Sequence, residues 1–209
     1  MPIQFETIVN GPFEENCFLA WDDATMAGIL IDPGSEPDLI LSRVEARGVR
    51  LDGIFNTHGH LDHTGAVAAI TRQLGIPFAL HPADRPLVAS LPVQARMFGL
   101  PEVESPEVDI EIVPGEDIAI GGCQARVLYT PGHTLGGVSF VIDELAFVGD
   151  TLFLGSIGRT DLPGGSYPEL IQSIVEQLLP LGDDTQVLTG HGPATTVGFE
   201  RAHNPFLQT

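Results

Sequence analysis

The sequence predicts an α+β protein in which two β-sheets pack face to face and helices cover their outer sides. Two observations carry that prediction. Each half of the chain reads as a run of short β-rich segments followed by helix, and 43% of the 209 residues are hydrophobic against 18% charged, enough apolar side chain to fill the spaces between layers. The length suits one domain. No linker, tandem repeat or low-complexity tract divides the chain, so residues 1–209 are read as a single domain.

The first half reads β-β-β-α-β-α-β. Ile3–Val9, Cys17–Trp21 and Ala27–Ile31 are β-rich runs separated by Gly11-Pro12 and Asp22-Asp23, as in an antiparallel meander. Asp32-Pro33-Gly34 turns the chain into Leu39–Arg47, where Leu39, Ile40, Val44 and Ala46 recur near helical spacing. Leu51–Asn56 is expected as a strand, Thr64 or Gly65 as the start of a helix through Leu74, and Pro77–Leu80 as a strand. Ala83–Ser105 is rich in Pro and small residues, lacks a clear period and reads as a lid or an ordinary surface connection. Strands follow at Asp117–Ile120, Gln124–Thr130, Val138–Ile142 and Leu145–Val148, then a helix at Pro168–Leu179, a strand at Gln186–Leu188 and a short tail.

Nine basic residues, all of them Arg, face 28 acidic ones for a net charge of −19. Without Lys, a Schiff-base lysine mechanism is excluded. A field of this sign repels phosphate backbones and anionic lipids, so neither nucleic acid nor a membrane surface is an expected partner, while cations are attracted. The start does not resemble a signal peptide and no run of about 18 apolar residues occurs, which gives the expectation of a cytoplasmic protein. Cys17 and Cys123 lack C-x-x-C spacing and are expected as two buried thiols.

The chemistry is concentrated in Thr57-His58-Gly59-His60-Leu61-Asp62-His63, at the end of an apolar strand and the start of a helix. Extended backbone sends alternate side chains to one face, so His58 and His60 can converge on one ion. Asp62 and His63 can turn towards a second as the loop curls into the helix. Three further segments each place one His or Asp after an apolar strand and a Gly: Thr130-Pro131-Gly132-His133, Phe147-Val148-Gly149-Asp150 and Leu188-Thr189-Gly190-His191. The rigid sheet holds such a ligand while the Gly lets backbone pass close to the ion. Seven candidate ligands result, namely His58, His60, Asp62, His63, His133, Asp150 and His191. That is enough for two divalent ions if one carboxylate bridges, and the nitrogen and oxygen mixture suits zinc, iron or manganese.

These residues resemble the metallo-β-lactamase superfamily, whose H-x-H-x-D-H signature stands intact at His58–His63 with the later His, Asp and His in the same order. The resemblance implies an αββα four-layer sandwich with the metals at one edge of the two sheets. It implies that His58, His60 and His133 hold one ion and Asp62, His63 and His191 the other, with Asp150 bridging. The superfamily's true β-lactamases usually carry Cys at the Asp150 position, which argues against antibiotic hydrolysis, and its RNA-processing members fit poorly with the acidic charge. Gly155-Ser156-Ile157-Gly158-Arg159-Thr160-Asp161 and the ending Gly190-His191-Gly192-Pro193 through Asn204-Pro205-Phe206-Leu207 are similar to the glyoxalase II group, in particular its short single-domain members.

That similarity implies a thioester hydrolase, acting on S-D-lactoylglutathione or a related acyl thioester to give acid and thiol. Hydroxide formed from a water shared by the two ions would be the nucleophile, Asp62 and Asp150 would be catalytic, and Arg159 would contact a glutathione carboxylate. Phe140 stands where the larger enzymes carry a glutathione-binding Tyr. The rival within the resemblance is a persulfide dioxygenase with one Fe(II) on His58, His133 and Asp150, a facial triad. Asp32 reads first as a turn residue with a supporting role behind the ligands, and Thr134 and Thr151 as partners of ligand side chains. Trp21 reads as core, Tyr167 as a helix-start packing residue, and His81 and His203 as hydrogen-bonded or exposed imidazoles.

Overall fold

In the computed structural model, which describes residues 3–208, the first half runs β1 (Ile3–Asn10), β2 (Glu15–Asp22), β3 (Ala27–Ile31), α1 (Pro37–Arg47), β4 (Arg50–Phe55), α2 (Leu61–Thr64), α3 (Val67–Leu74), β5 (Phe78–Leu80), α4 (Arg85–Ala89), α5 (Leu91–Met97) and β6 (Ile110–Glu111). The second runs β7 (Asp117–Ile120), β8 (Cys123–Tyr129), β9 (Val138–Ile142), β10 (Leu145–Gly149), the small hairpin β11 (Leu152–Phe153) and β12 (Ser156–Ile157), α6 (Tyr167–Ser173), β13 (Gln186–Thr189), β14 (Thr195–Thr196) and α7 (Val197–His203). One sheet has the order β1-β2-β3-β4-β5-β6 and the other β14-β13-β10-β9-β8-β7. The first three strands pair antiparallel, as the meander expectation requires, and β3, β4, β5 and β6 run parallel.

Period-two burial on both faces builds the layers. Every residue of β2 is buried. Phe18 and Ala20 enter the cluster between the sheets with Ile29, Ile31, Phe140 and Phe147, while Cys17, Leu19 and Trp21 face the outer cluster under α1, α3 and α5 with Ile40, Val67 and Leu91. On the far side Val141, Ala146 and Val148 pack against Leu170 and Ile174. Four layers, α, β, β and α, follow. Among the described residues no helix is long and apolar enough to cross a membrane.

Several local expectations need correction. The helix predicted from Thr64 to Leu74 starts at Leu61 and breaks after Thr64, because the Ala66 amide donates to the Pro33 carbonyl at 3.1 Å rather than continuing the helical ladder. The Ala83–Ser105 segment contains α4 and α5, which bury Val88, Leu91 and Ala95 in the core. Beyond α6 the chain continues as a π-helical turn at Ile174–Leu178 and a 3-10 turn around Pro180, since proline cannot donate to a regular ladder. The tail forms α7, capped by Thr196 Oγ1 accepting from the Phe199 amide and tied down by buried Glu200. Cys17 is buried as expected but Cys123 only half-buried, and Tyr167, 48% exposed, does not pack at the helix start. Trp21 is core, with the Arg47 guanidinium 5.8 Å from its ring centre.

Phe147 joins the two sheets, with Phe5 and Phe18 edge-on to its ring at 6.0 and 5.2 Å. Phe147→Ala should destabilise the fold by about 3–5 kcal/mol in denaturant titrations. Met97→Ala, at a side chain 80% exposed, should stay within about 0.5 kcal/mol of the parent.

Candidate metal centre

The seven candidate ligands come together where strand ends meet. β4 delivers His58 and His60, α2 carries Asp62 and His63, the β8–β9 loop brings His133, and β10 and β13 end at Asp150 and His191. Donor atoms of His58, His60 and His133 lie within 4.8 Å of one another, and so do those of Asp62, His63 and His191. Asp150 stands between the groups, its Oδ2 3.5 Å from His133 Nε2 and its Oδ1 3.4 Å from His63 Nε2 and 3.8 Å from His191 Nε2. Close approach of the loops requires glycine. A Cβ on Gly190 would lie 2.3 Å from Asp150 Oδ1, and one on Gly149, whose φ is +51°, would lie 2.2 Å from Thr57 Oγ1.

The scaffold fixes which ring nitrogen faces inward. His133 Nδ1 donates to the Arg159 carbonyl at 2.7 Å and His191 Nδ1 to the Phe13 carbonyl at 3.0 Å, leaving each Nε2 as an acceptor. His63 Nδ1 donates to Asp32 Oδ2 at 3.1 Å. The Thr57 hydroxyl donates to the same carboxylate at 2.5 Å and accepts from His58 Nδ1 at 3.0 Å. Asp32 therefore supports two of the rings, and it also accepts from the Thr57 amide at 2.7 Å. His60 instead turns Nδ1 inward, 2.9 Å from His133 Nε2.

This inward concentration of donors fits divalent metal ions. His58 Nε2, His63 Nε2 and Asp150 Oδ1 are buried without a hydrogen-bond partner, an arrangement that costs free energy unless a cation accepts those lone pairs. Burial and the neighbouring imidazoles hold His58 well below its ordinary value, and burial with His133 brings His60 down to about 4, so both rings are neutral at pH 7. Burial alone would lower His63 too, but Asp150 and Asp62 outweigh it and raise that ring well above the ordinary value. Conversely, burial would raise Asp62 and Asp150, yet His63 holds both below the usual carboxylate range. A proton on His63 thus occupies ground that a metal cation would take, and metal binding would displace it.

Thr134 and Thr151 differ from expectation, and the other candidate positions lie around the cluster. Arg159 is exposed and forked onto Asp161, with two contacts of 2.8 Å, so its side chain forms a surface pair while its carbonyl anchors His133. Phe140 is fully buried between the sheets. Thr134 and Thr151 do not bond to the candidate ligands: Thr134 Oγ1 donates to Asp84 at 2.8 Å, and Thr151 Oγ1 lies 3.4 Å from Thr130 Oγ1. His81 stacks on Tyr129, and His203 stacks on Phe199 and bonds to its carbonyl, both apart from the cluster.

Four supporting residues carried no sequence signal. Asp84, fully buried, accepts from the Gly59 and Gly136 amides at 2.9 and 2.7 Å and from Thr134, tying the His58–His60 loop to the His133 loop. Asn16 Nδ2 holds the carbonyls of Thr189 and Gly192 at 2.8 and 2.9 Å on either side of His191. Asn56 Nδ2 holds the His63 carbonyl at 2.8 Å. Buried Glu15 stands 3.7 Å from His63 Nδ1. Asp84→Ala would strand two buried amides. It should weaken zinc binding about 10- to 100-fold in competition with a chromophoric chelator.

Comparison with known proteins agrees with this geometry. The family profile of the metallo-β-lactamase superfamily matches residues 10–191. The chain is similar to the hydroxyacylglutathione hydrolase GloC of Haemophilus influenzae, with 42% identity over 99% of each chain. Among solved structures it is similar to the B3 metallo-β-lactamase BLEG-1, at 35% identity and a TM-score of 0.91 over 99% of this chain and all of the other. It is likewise similar to TTHA1623 in a di-iron-bound form, at 39% identity and a TM-score of 0.87 over 97% of this chain and all of the other. With a family match spanning most of its length and relatives aligned almost end to end, the chain belongs to the metallo-β-lactamase superfamily.

Proposed function

We propose that residues 1–209 act as one cytoplasmic hydrolase domain that cleaves small-molecule thioesters, in particular hydroxyacylglutathiones such as S-D-lactoylglutathione, into acid and thiol. The observation that carries this reading is Asp150 set between two groups of inward-facing donors, and the likeness to GloC supports the substrate class. His58, His60 and His133 would hold one divalent ion, and Asp62, His63 and His191 a second, with Asp150 shared between them. Zinc and iron suit the set best, and manganese is compatible with it. Bound there, such ions supply Lewis acidity and lower the pKa of a shared water towards neutrality.

The protein's own groups do the rest. Asp62, kept ionised by His63 and His191, presents a carboxylate oxygen 3.2 Å from His191 Nε2 and orients the water that attacks the thioester carbonyl carbon. As the carbon–sulfur bond breaks, the water's proton leaves with the thiol and its oxygen stays in the acid. Asp150, ionised and deep in the cluster, keeps the two donor groups at a fixed separation. Arg159 would receive the glutathione carboxylate by exchanging it for Asp161, and because that pair is solvent-exposed the exchange costs little.

The test is thiol release from S-D-lactoylglutathione, measured without oxygen on protein reconstituted with zinc or ferrous iron. Metal-dependent release is expected, with none from metal-free protein. Asp150→Ala should lose at least one bound ion and more than about 100-fold in kcat/KM. Absence of release with either fully loaded metal would overturn the reading. Oxygen consumption with glutathione persulfide would then favour the one-iron dioxygenase, and turnover of a β-lactam alone would favour chemistry like that of BLEG-1.

A further inference from the structure

A cavity of about 800 Å³ lies beside the donor cluster, between the β1–β2 turn, α3 and residues 100–104. This size is ample for a small-molecule group. Its walls are largely apolar, with Phe13 on the turn, Leu61, Ala66 and Ala69 along α2 and α3, and Leu100 and Val103 opposite. Phe13 also meets Phe98 edge to face, ring centres 5.4 Å apart, so the turn and the segment after α5 join in one aromatic pair. Exposed phenylalanines are costly in water. Phe13, in the cavity wall, is 38% exposed, which leaves apolar surface for an occupant.

Two contacts join this cavity to the reactive end. Asp62 lines it while reaching His191 Nε2 at 3.2 Å, and the carbonyl of Phe13 is the acceptor that orients His191. Its charge selects against anions. Arg72 in the wall is paired with Glu104, and Glu36 and Glu102 add further negative charge. Arg159, whose carbonyl anchors His133, lies beside the other donor group.

We infer that this cavity binds the acyl chain of the substrate, so that besides hydroxyacyl groups the enzyme takes uncharged, apolar acyl groups and favours those several carbons long over short ones, with the anionic thiol directed towards Arg159. The inference rests on the thioester reading above. It also gives the 83–105 segment a role beyond core packing, since residues 100–104 line the cavity.

The zinc-loaded protein is assayed with straight-chain S-acylglutathiones from acetyl to octanoyl, which hold the thiol constant. The value of kcat/KM should climb by up to about fourfold per methylene until the cavity is full. A terminal carboxylate on the longer chains should abolish the gain. Phe13→Ala and Ala69→Phe should each lower the octanoyl-to-acetyl ratio at least tenfold, one by removing a wall and the other by filling the space. Calorimetric binding of octanamide to the metal-free protein provides a readout independent of turnover, and Ala69→Phe should abolish it. Hydrolysis of all chain lengths at equal rates, or octanamide binding that Ala69→Phe leaves intact, would overturn the inference while leaving the hydrolase reading standing. If no thioester is cleaved the hydrolase reading fails, and octanamide binding that Ala69→Phe removes would leave only an apolar cavity without the assigned substrate, overturning the inference as well.

Discussion

Lone pairs crowded into one buried place need positive charge, and this requirement organises the structure around them. The imidazoles of His58, His63, His133 and His191 each direct Nδ1 to an oxygen of the scaffold, so the Nε2 atoms all turn inward. Two carboxylates share that space. The charges of Asp150 and Asp62 raise His63 well above its ordinary value, and His60 Nδ1 approaches His133 Nε2 to 2.9 Å. The scaffold oxygens that orient the rings lie on the β1–β2 turn, the turn after β3, Thr57 just after β4 and the loop after β12, so the pattern depends on the fold as a whole and not on the signature segment alone.

The two sheets supply rigidity and the loops supply proximity. β10 and β13 are largely buried and β4 is buried at Gly53 and Ile54 near its end, so the side chains just beyond these strands start from fixed points. Asp84 then fastens two of these loops together from the segment that follows β5, and Asp32 fastens two rings from a turn in the left-handed region, φ +53°. The 83–105 segment serves three physical purposes: its helices close one face of the core, its first residues brace the donor loops, and its last residues wall the cavity beside Asp62.

Much of this was legible in the sequence because the relevant signals are local. His58 to His63 places four donors within six residues, and His133, Asp150 and His191 each follow an apolar run and a glycine. Those features depend on strand parity and ligand chemistry, which act over short distances. Asp84, Asn16 and Asn56 were not legible, because an isolated polar residue acquires its role only when backbone amides or carbonyls from distant parts of the chain arrive beside it. Which face of β9 meets the opposite sheet was not legible for a related reason. In Val138–Ile142 every side chain is buried, so no alternation shows which face meets the opposite sheet. The break between α2 and α3 likewise follows from a tertiary hydrogen bond to Pro33 that no helical period records.

The donor set makes a quantitative claim about capacity, since seven ligands divided by a shared carboxylate correspond to two cations. Equilibrium dialysis of metal-stripped protein against buffered zinc, with bound metal counted per chain, tests it most directly. The account predicts saturation at two ions per chain, falling to one or fewer when His191 and His63 are both replaced by alanine. Saturation at a single ion in the intact protein would contradict it.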